Sequence, residues 1–199
     1  MNVLIGCKYS GVVREAFRKK GHCAYSCDLL PADDQSEWHI QNDVIAAITE
    51  SLPWDLIILH PPCTALTVAG NSTYGKGMPK NDERMKALEW THTLWRIAKT
   101  RANQVALENP VGVLNSIEGM PKANYVHPWQ FGHPEQKKTG LWLHNLPPLK
   151  PTNIVYAEMM QLPKNERQRL HYLPPSADRW KIRSTTFQGI ADAMADQWG

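Results

Sequence analysis

The stretch LIILHPPCTAL, residues 56–66, runs four apolar residues into His60, two prolines and Cys63. An apolar run closed by prolines reads as a buried strand that stops there, because proline cannot continue a central ladder. Two prolines also stiffen the corner that carries the next residue. Cys63 therefore falls on a fixed corner at the carboxyl edge of a sheet, the edge where open parallel sheets bind ligands. A thiol there is mostly protonated at neutral pH but is a strong nucleophile once ionised. The alternative is a small, inert, buried cysteine, the reading that suits Cys7, Cys23 and Cys27.

A second strand end carries a carboxyl group. In ALENP, Glu108 closes an apolar run just before Asn109 and Pro110. Half-burial there favours the protonated acid, which can donate or share a proton; a surface carboxylate or helix cap is the alternative. At the start of the chain, LIGCKYSG places Gly6 and Gly11 around a strand-to-helix corner, where glycine lets a ligand approach the backbone. Asp28 follows at the end of the next strand, in position for ribose hydroxyls, and Asp43 offers a contact to a base. This is a loose nucleoside-cofactor pattern without G-x-G-x-x-G, so a dinucleotide is disfavoured. An ordinary tight turn and a helix cap are the competing explanation.

These residues need elements to position them. NVLIG, CAYSC, DLIIL and QVALE read as strands, and GVVREAFRKKG, NDVIAAITESL and residues 82–99 as helices. Gly21 sits where a helix-ending glycine belongs, and Asn42 or Asp43 where a cap belongs. In the third helix Met85, Leu88, Thr91 or His92, and Trp95 share a face. Such alternation predicts an α/β fold, a largely parallel sheet with helices on both faces. After Asn109 prolines and aromatics crowd the chain. Irregular connections and short strands are expected there, TGLWL the best of them, before a final helix in FQGIADAMADQWG. Residues 70–82 carry no apolar period and read as flexible.

The chain has 199 residues and a net charge of +3, with 42% hydrophobic residues, enough for one soluble domain with a core. No apolar run is long enough to span a bilayer and no signal peptide is evident, so a cytoplasmic location is expected. The four cysteines are expected as free thiols, with neither disulfides nor a metal site. Between Lys137 and Arg183 nine Lys/Arg face three Asp/Glu, a local excess that suits either a solvated surface or phosphate.

The Pro-Pro-Cys corner followed by Glu-Asn on the next strand resembles the cytosine-5 methyltransferases that use S-adenosylmethionine. GHPEQKKTGLWL is similar to that family's basic strand, and RSTTFQGIADAMADQW to its last segment. HPWQFGHPEQKKTGLWLHNLPPLKPT and DRWKIRSTTFQGIADAMADQWG resemble most closely a compact phage and prophage branch labelled DNA cytosine methyltransferase. The resemblance implies a Rossmann-like class I methyltransferase domain over residues 1–199, with 140–183 a reduced insertion in place of a target-recognition domain. It implies Cys63 as the nucleophile that adds to carbon 6 and Glu108 as the residue that shares a proton with ring nitrogen 3. It implies cofactor contacts at Gly6, Tyr9, Ser10, Gly11, Asp28, Leu29, Asp43, His60, Pro61, Thr186 and Gln188. Substrate contacts fall to Pro62, Asn109, Gln136, Lys137, Lys138 and Arg183, and the 70–82 segment becomes a candidate lid.

Three departures matter. His60 precedes the Pro-Pro-Cys where glycine is usual. Lys137 and Lys138 stand where arginines are usual, and Gly140 occupies the second arginine position. Only about 45 residues separate Thr139 from Ser184, too few for a large recognition domain. Two substrates therefore stay open, DNA with short recognition or a free cytosine nucleotide, and homo-oligomerisation stays open too. An inactive cofactor- or nucleic-acid-binding partner is the third reading, disfavoured because Cys63 and Glu108 are both present. Exocyclic-amine methylation is disfavoured because no aromatic residue follows Pro-Pro. Trp129, Trp142 and Trp180 are either core anchors or walls of a base pocket.

Overall fold

The computed structural model describes residues 1–51 and 53–199. Seven strands form one sheet in the order β3-β2-β1-β4-β5-β7-β6. They are β1 (Asn2–Gly6), β2 (Cys23–Asp28), β3 (His39–Gln41), β4 (Leu56–Leu59), β5 (Gln104–Pro110), β6 (Asn124–Val126) and β7 (Thr139–His144). The first five run parallel, and β7 is antiparallel to both β5 and β6. Leu56 to Leu59 are fully buried, as a strand covered on both faces demands.

The helices are α1 (Val12–Lys19), α2 (Val44–Glu50), α3 (Asn71–Tyr74), α4 (Asn81–Arg101), α5 (Tyr156–Gln161), α6 (Lys164–Arg167), α7 (Arg169–Tyr172), α8 (Arg179–Ser184) and α9 (Gln188–Trp198). One core lies between the sheet and α1 with α9, built on Val13, Phe17, Ile190 and Met194. The other lies beneath α2 and α4, built on Ala47, Ile48, Leu94 and Trp95. Gly21 takes the left-handed backbone expected past α1 (φ 85°). Asp43 caps α2, its Oδ1 accepting from Ile45 N at 2.8 Å and Ala46 N at 3.2 Å. The helix expected there reaches Leu52, which lies outside the described residues; α2 ends at Glu50.

Several expectations need correction. Cys23 is exposed at the open start of β2, whereas Cys27 is buried; all four cysteines are free thiols. On α4, Met85 faces solvent and Arg84 faces inward. Arg84 donates to the carbonyls of Ala65 (2.6 Å) and Thr67 (3.1 Å) and to Asn71 Oδ1 (2.8 Å). This guanidinium fastens the chain that follows Cys63. Residues 70–82 are accordingly not featureless: they hold α3 and a tight turn at Gly77. The stretch after β7 forms four short helices rather than strands. No helix among the described residues is long and apolar enough to cross a membrane.

Candidate active site

The ends of β1, β2, β4 and β5 open into one cavity of about 430 Å³, a small-molecule size. Its walls include Tyr9, Asp28, Leu29, Asp43, His60, Pro61, Pro62, Cys63, Glu108, Asn109, Lys137 and Arg183. Sequence reasoning did not nominate Lys8 or Ser184, which line it too. Gly6, Ser10, Gly11, Gln136, Lys138, Thr186 and Gln188 lie outside its walls.

Local structure explains most of these placements. A Cβ on Gly6 would meet Val44 Cγ2 at 2.6 Å and Leu59 Cδ2 at 3.0 Å, and one on Gly11 would meet the Arg14–Asp34 ion pair. Packing thus accounts for both glycines. Gln136 Oε1 accepts from Gln168, Gln188 donates to Asp192, and the Lys138 ammonium lies 4.4 Å from the Tyr125 ring centre. Ser10 Oγ and Thr186 Oγ1 are buried with no hydrogen-bond partner. Gly140 has no room for the missing arginine: a Cβ there would lie 2.9 Å from the Trp142 indole. Trp142 is core and Trp129 stacks on His127, away from the cavity; only Trp180 of the three reaches its wall.

The β4 and β5 ends are tied together. Asn109 is buried and its Nδ2 donates to Pro61 O at 3.0 Å, bracing the double-proline corner. His60 Nδ1 lies 2.9 Å from Glu108 Oε2, with side-chain exposures of 5% and 15%. Burial alone would raise the Glu108 carboxyl. The His60 hydrogen bond and the charges of Lys137 and Lys8, joined by that of His60 whenever its ring is protonated, outweigh that and bring it down to about 2. Glu108 is therefore a carboxylate at rest, not the protonated acid expected from half-burial alone. His60 is pushed down by burial and by Lys8, which favours the neutral ring with its Nδ1–H donated to Glu108. Its Nε2 then holds a lone pair, and it has no partner.

Lys8 enters the cavity because of an unusual corner. Cys7 takes a left-handed backbone (φ 58°), uncommon for a residue with a side chain, and Lys8 N–H then bonds Cys27 O at 2.9 Å. Burial lowers the Lys8 ammonium to about 8, against the pull of Glu108. Its one described bond is to Ser184 O, so two of its three donors are uncommitted. Burial and the nearby Glu108 charge raise the Cys63 thiol, while Lys137 and Arg183 oppose them. The other end of the cavity is acidic. Asp28 Oδ1 accepts from Leu30 N at 3.0 Å, and Asp43 spends Oδ1 on its helix cap.

The sheet order, with one antiparallel strand inserted beside β5 and the cavity at the carboxyl ends, defines a Rossmann-like class I methyltransferase fold. The methyltransferase EhMeth of Entamoeba histolytica shares it, at 16% identity over 77% of this chain and 57% of that one, with a TM-score of 0.53. Two further solved structures are similar. One is an E. coli prophage-encoded protein described as a DNA modification methyltransferase (15% identity, 72% of this chain and 46% of that one, TM-score 0.45). The other is the S. pombe Dnmt2 methyltransferase (16% identity, 92% and 61%, TM-score 0.43). The chain thus spans 46–61% of the length of these proteins. No family model matches it, and no match is found among curated proteins.

Proposed function

We propose that this chain transfers a methyl group from S-adenosylmethionine to carbon 5 of cytosine in DNA through a covalent Cys63 adduct. The observation that carries the reading is that Cys63 and Glu108, on adjacent strand ends, open into the cavity that also holds Asp28 and Leu29. The residues fit the cofactor. One Asp28 oxygen is held by the backbone and the other is available to ribose, beside the apolar Leu29. When bound, S-adenosylmethionine supplies an electrophilic methyl group on a positively charged sulfur.

The protein's own groups do the rest. Cys63 adds to carbon 6, which moves the carbon 5–carbon 6 π pair towards carbon 5 and ring nitrogen 3 and makes carbon 5 nucleophilic. Glu108, ionised, accepts from the exocyclic amine and fixes that edge of the ring. Lys8 and Lys137, whose charges already act on Glu108, would offset the negative charge that develops on the ring. Arg183 and Lys137 favour the Cys63 thiolate, which leaves carbon 6 when a base takes the carbon 5 proton and the carbon 5–carbon 6 double bond re-forms.

The short span between β7 and α9 supports a second reading, the same chemistry on a free cytosine nucleotide, since a base in duplex DNA must first be flipped out. Incubation with methyl-labelled S-adenosylmethionine and duplex DNA, single-stranded DNA, dCMP or CMP separates the two. Label at carbon 5 of cytosine in DNA supports the proposal. Label confined to dCMP or CMP replaces it with the second reading. No label anywhere, with cofactor still bound, makes the chain a binding protein.

A further inference from the structure

We infer that the edge strand β3 sets the affinity for S-adenosylmethionine from outside the cavity, its His39 and Gln41 holding the backbone of Leu29 and Leu30; this rests on the function just proposed. Leu29 and Leu30 follow β2 and line the cavity beside Asp28, whereas His39 and Gln41 lie outside its walls. The connection from β2 to β3 has little else to hold it. No residue from 29 to 38 is buried, and Leu29 and Leu30 are 71% and 43% exposed. Only at its far end does an aromatic anchor it: Trp38 rests against Tyr25 and under the Arg18 guanidinium.

Polar bonds fix the cavity end instead. His39 Nε2 bonds Leu30 O at 2.9 Å, and Gln41 Nε2 donates to Leu29 O at 3.2 Å. The two side chains are two positions apart on one strand, so they leave it on the same face. The His39 ring is itself held. Arg14, whose side chain is fully buried, donates to Ser26 Oγ at 2.8 Å, and Ser26 Oγ lies 2.8 Å from His39 Nδ1. A guanidinium only donates and a carbonyl only accepts. With a neutral ring the relay therefore runs one way, from Arg14 to Ser26 to Nδ1 and from Nε2–H to Leu30 O. Desolvating a guanidinium is costly unless its donors are met. The partners of Arg14 are Glu15, Ser26 and Asp34, and the last two lead to the same connection.

The same backbone steadies Asp28, whose Oδ1 accepts from Leu30 N at 3.0 Å. His39 and Gln41 are thus positioning residues that act through Leu29, Leu30 and Asp28. Their effect is one of populations. When only a fraction of molecules holds the loop in its binding form, the apparent Kd rises by the inverse of that fraction, while the saturated enzyme is unchanged.

The test is calorimetric titration of wild type, His39→Ala, His39→Gln and Gln41→Ala with S-adenosylmethionine and with its demethylated product, beside methyl transfer to DNA. His39→Ala should raise both Kd values about tenfold or more, with kcat at saturating cofactor within about threefold of wild type. His39→Gln keeps a donor for Leu30 O and should bind within about threefold of wild type. Gln41→Ala, which loses one exposed bond, should raise Kd about threefold. Wild-type affinity in His39→Ala overturns the inference and leaves the relay a support of the fold alone. A kcat loss as large as the rise in Kd overturns it too, as does a His39→Gln that binds no better than His39→Ala. Should His39→Ala fail to fold, Gln41→Ala decides by the same readings. A wild type that binds neither ligand refutes the parent function instead.

Discussion

The cavity has two kinds of wall. One hangs from the ends of β1, β2, β4 and β5, most of whose residues are buried. The other is α8 and the chain around it, six residues held from across the cavity by side chains. Lys8 and Lys137 donate to the carbonyls of Ser184 and Arg183, the latter at 2.9 Å. Tyr9 contacts Ser184 Oγ at 3.1 Å and the half-exposed Trp180 ring at 5.4 Å. Lysines suit that task because the last carbonyls of a helix lack partners and carry partial negative charge. Under the proposed chemistry that contrast is a division of labour. Groups that make and break bonds need positions fixed by a packed sheet, whereas a cover must give way for substrate to enter and product to leave.

If that division holds, changes on the strand ends strike chemistry or stability, and changes on α8 strike binding. Cys63→Ala should lower methyl transfer by about 10⁴-fold or more, read from product formation with cofactor affinity unchanged. Glu108 contributes to stability as a carboxylate whose acidity is strengthened by folding. Its contribution is full above about pH 4.5 and is lost as pH falls towards 2. Wild type should therefore exceed Glu108→Gln by about 2 kcal/mol in denaturant titrations at pH 6, with the gap closing below pH 4. Asn109→Ala leaves Pro61 O unpaired and should cost about 1–3 kcal/mol in the same titrations. On the other wall, Trp180→Ala should raise KM for DNA about tenfold, near 1.4 kcal/mol, with kcat kept within about threefold. A kcat loss as large as its KM change would break the comparison. Asp43→Ala removes the α2 cap and should cost about 1 kcal/mol.

The sheet half was legible in the sequence because it follows short-range rules. Apolar runs ending at Gly6, Asp28 and His60, and a cap at Asp43, locate the strands and turns. β3 and β6 escaped because three residues such as His39–Gln41 or Asn124–Val126 hold too little alternation to register. On α4 Leu88, Thr91 and Trp95 pack inward as expected, and only Met85 was misplaced, with Arg84 buried in its stead. Arg84 looks like a surface residue until Ala65, Thr67 and Asn71 supply its partners. Lys8 went unseen for a related reason: a lysine in a glycine turn reads as solvated, and only the left-handed Cys7 backbone directs it inward. The charge state of Glu108 was misjudged because it depends on Lys8, His60 and Lys137, each from a different part of the chain. Long-range electrostatics of this kind has no periodic signature. The short helices α5 to α8 had none either, since each is six residues or fewer.

The central claim is that Cys63, beside Glu108, forms a covalent bond to cytosine during methylation. Mass spectrometry of the protein incubated with S-adenosylmethionine and a 5-fluorocytosine DNA oligonucleotide tests it directly. The account predicts a peptide carrying Cys63 with one methylated 5-fluorocytosine attached, absent from Cys63→Ala. An adduct that persists in Cys63→Ala, or methylated cytosine produced by wild type with no adduct on Cys63, would contradict it.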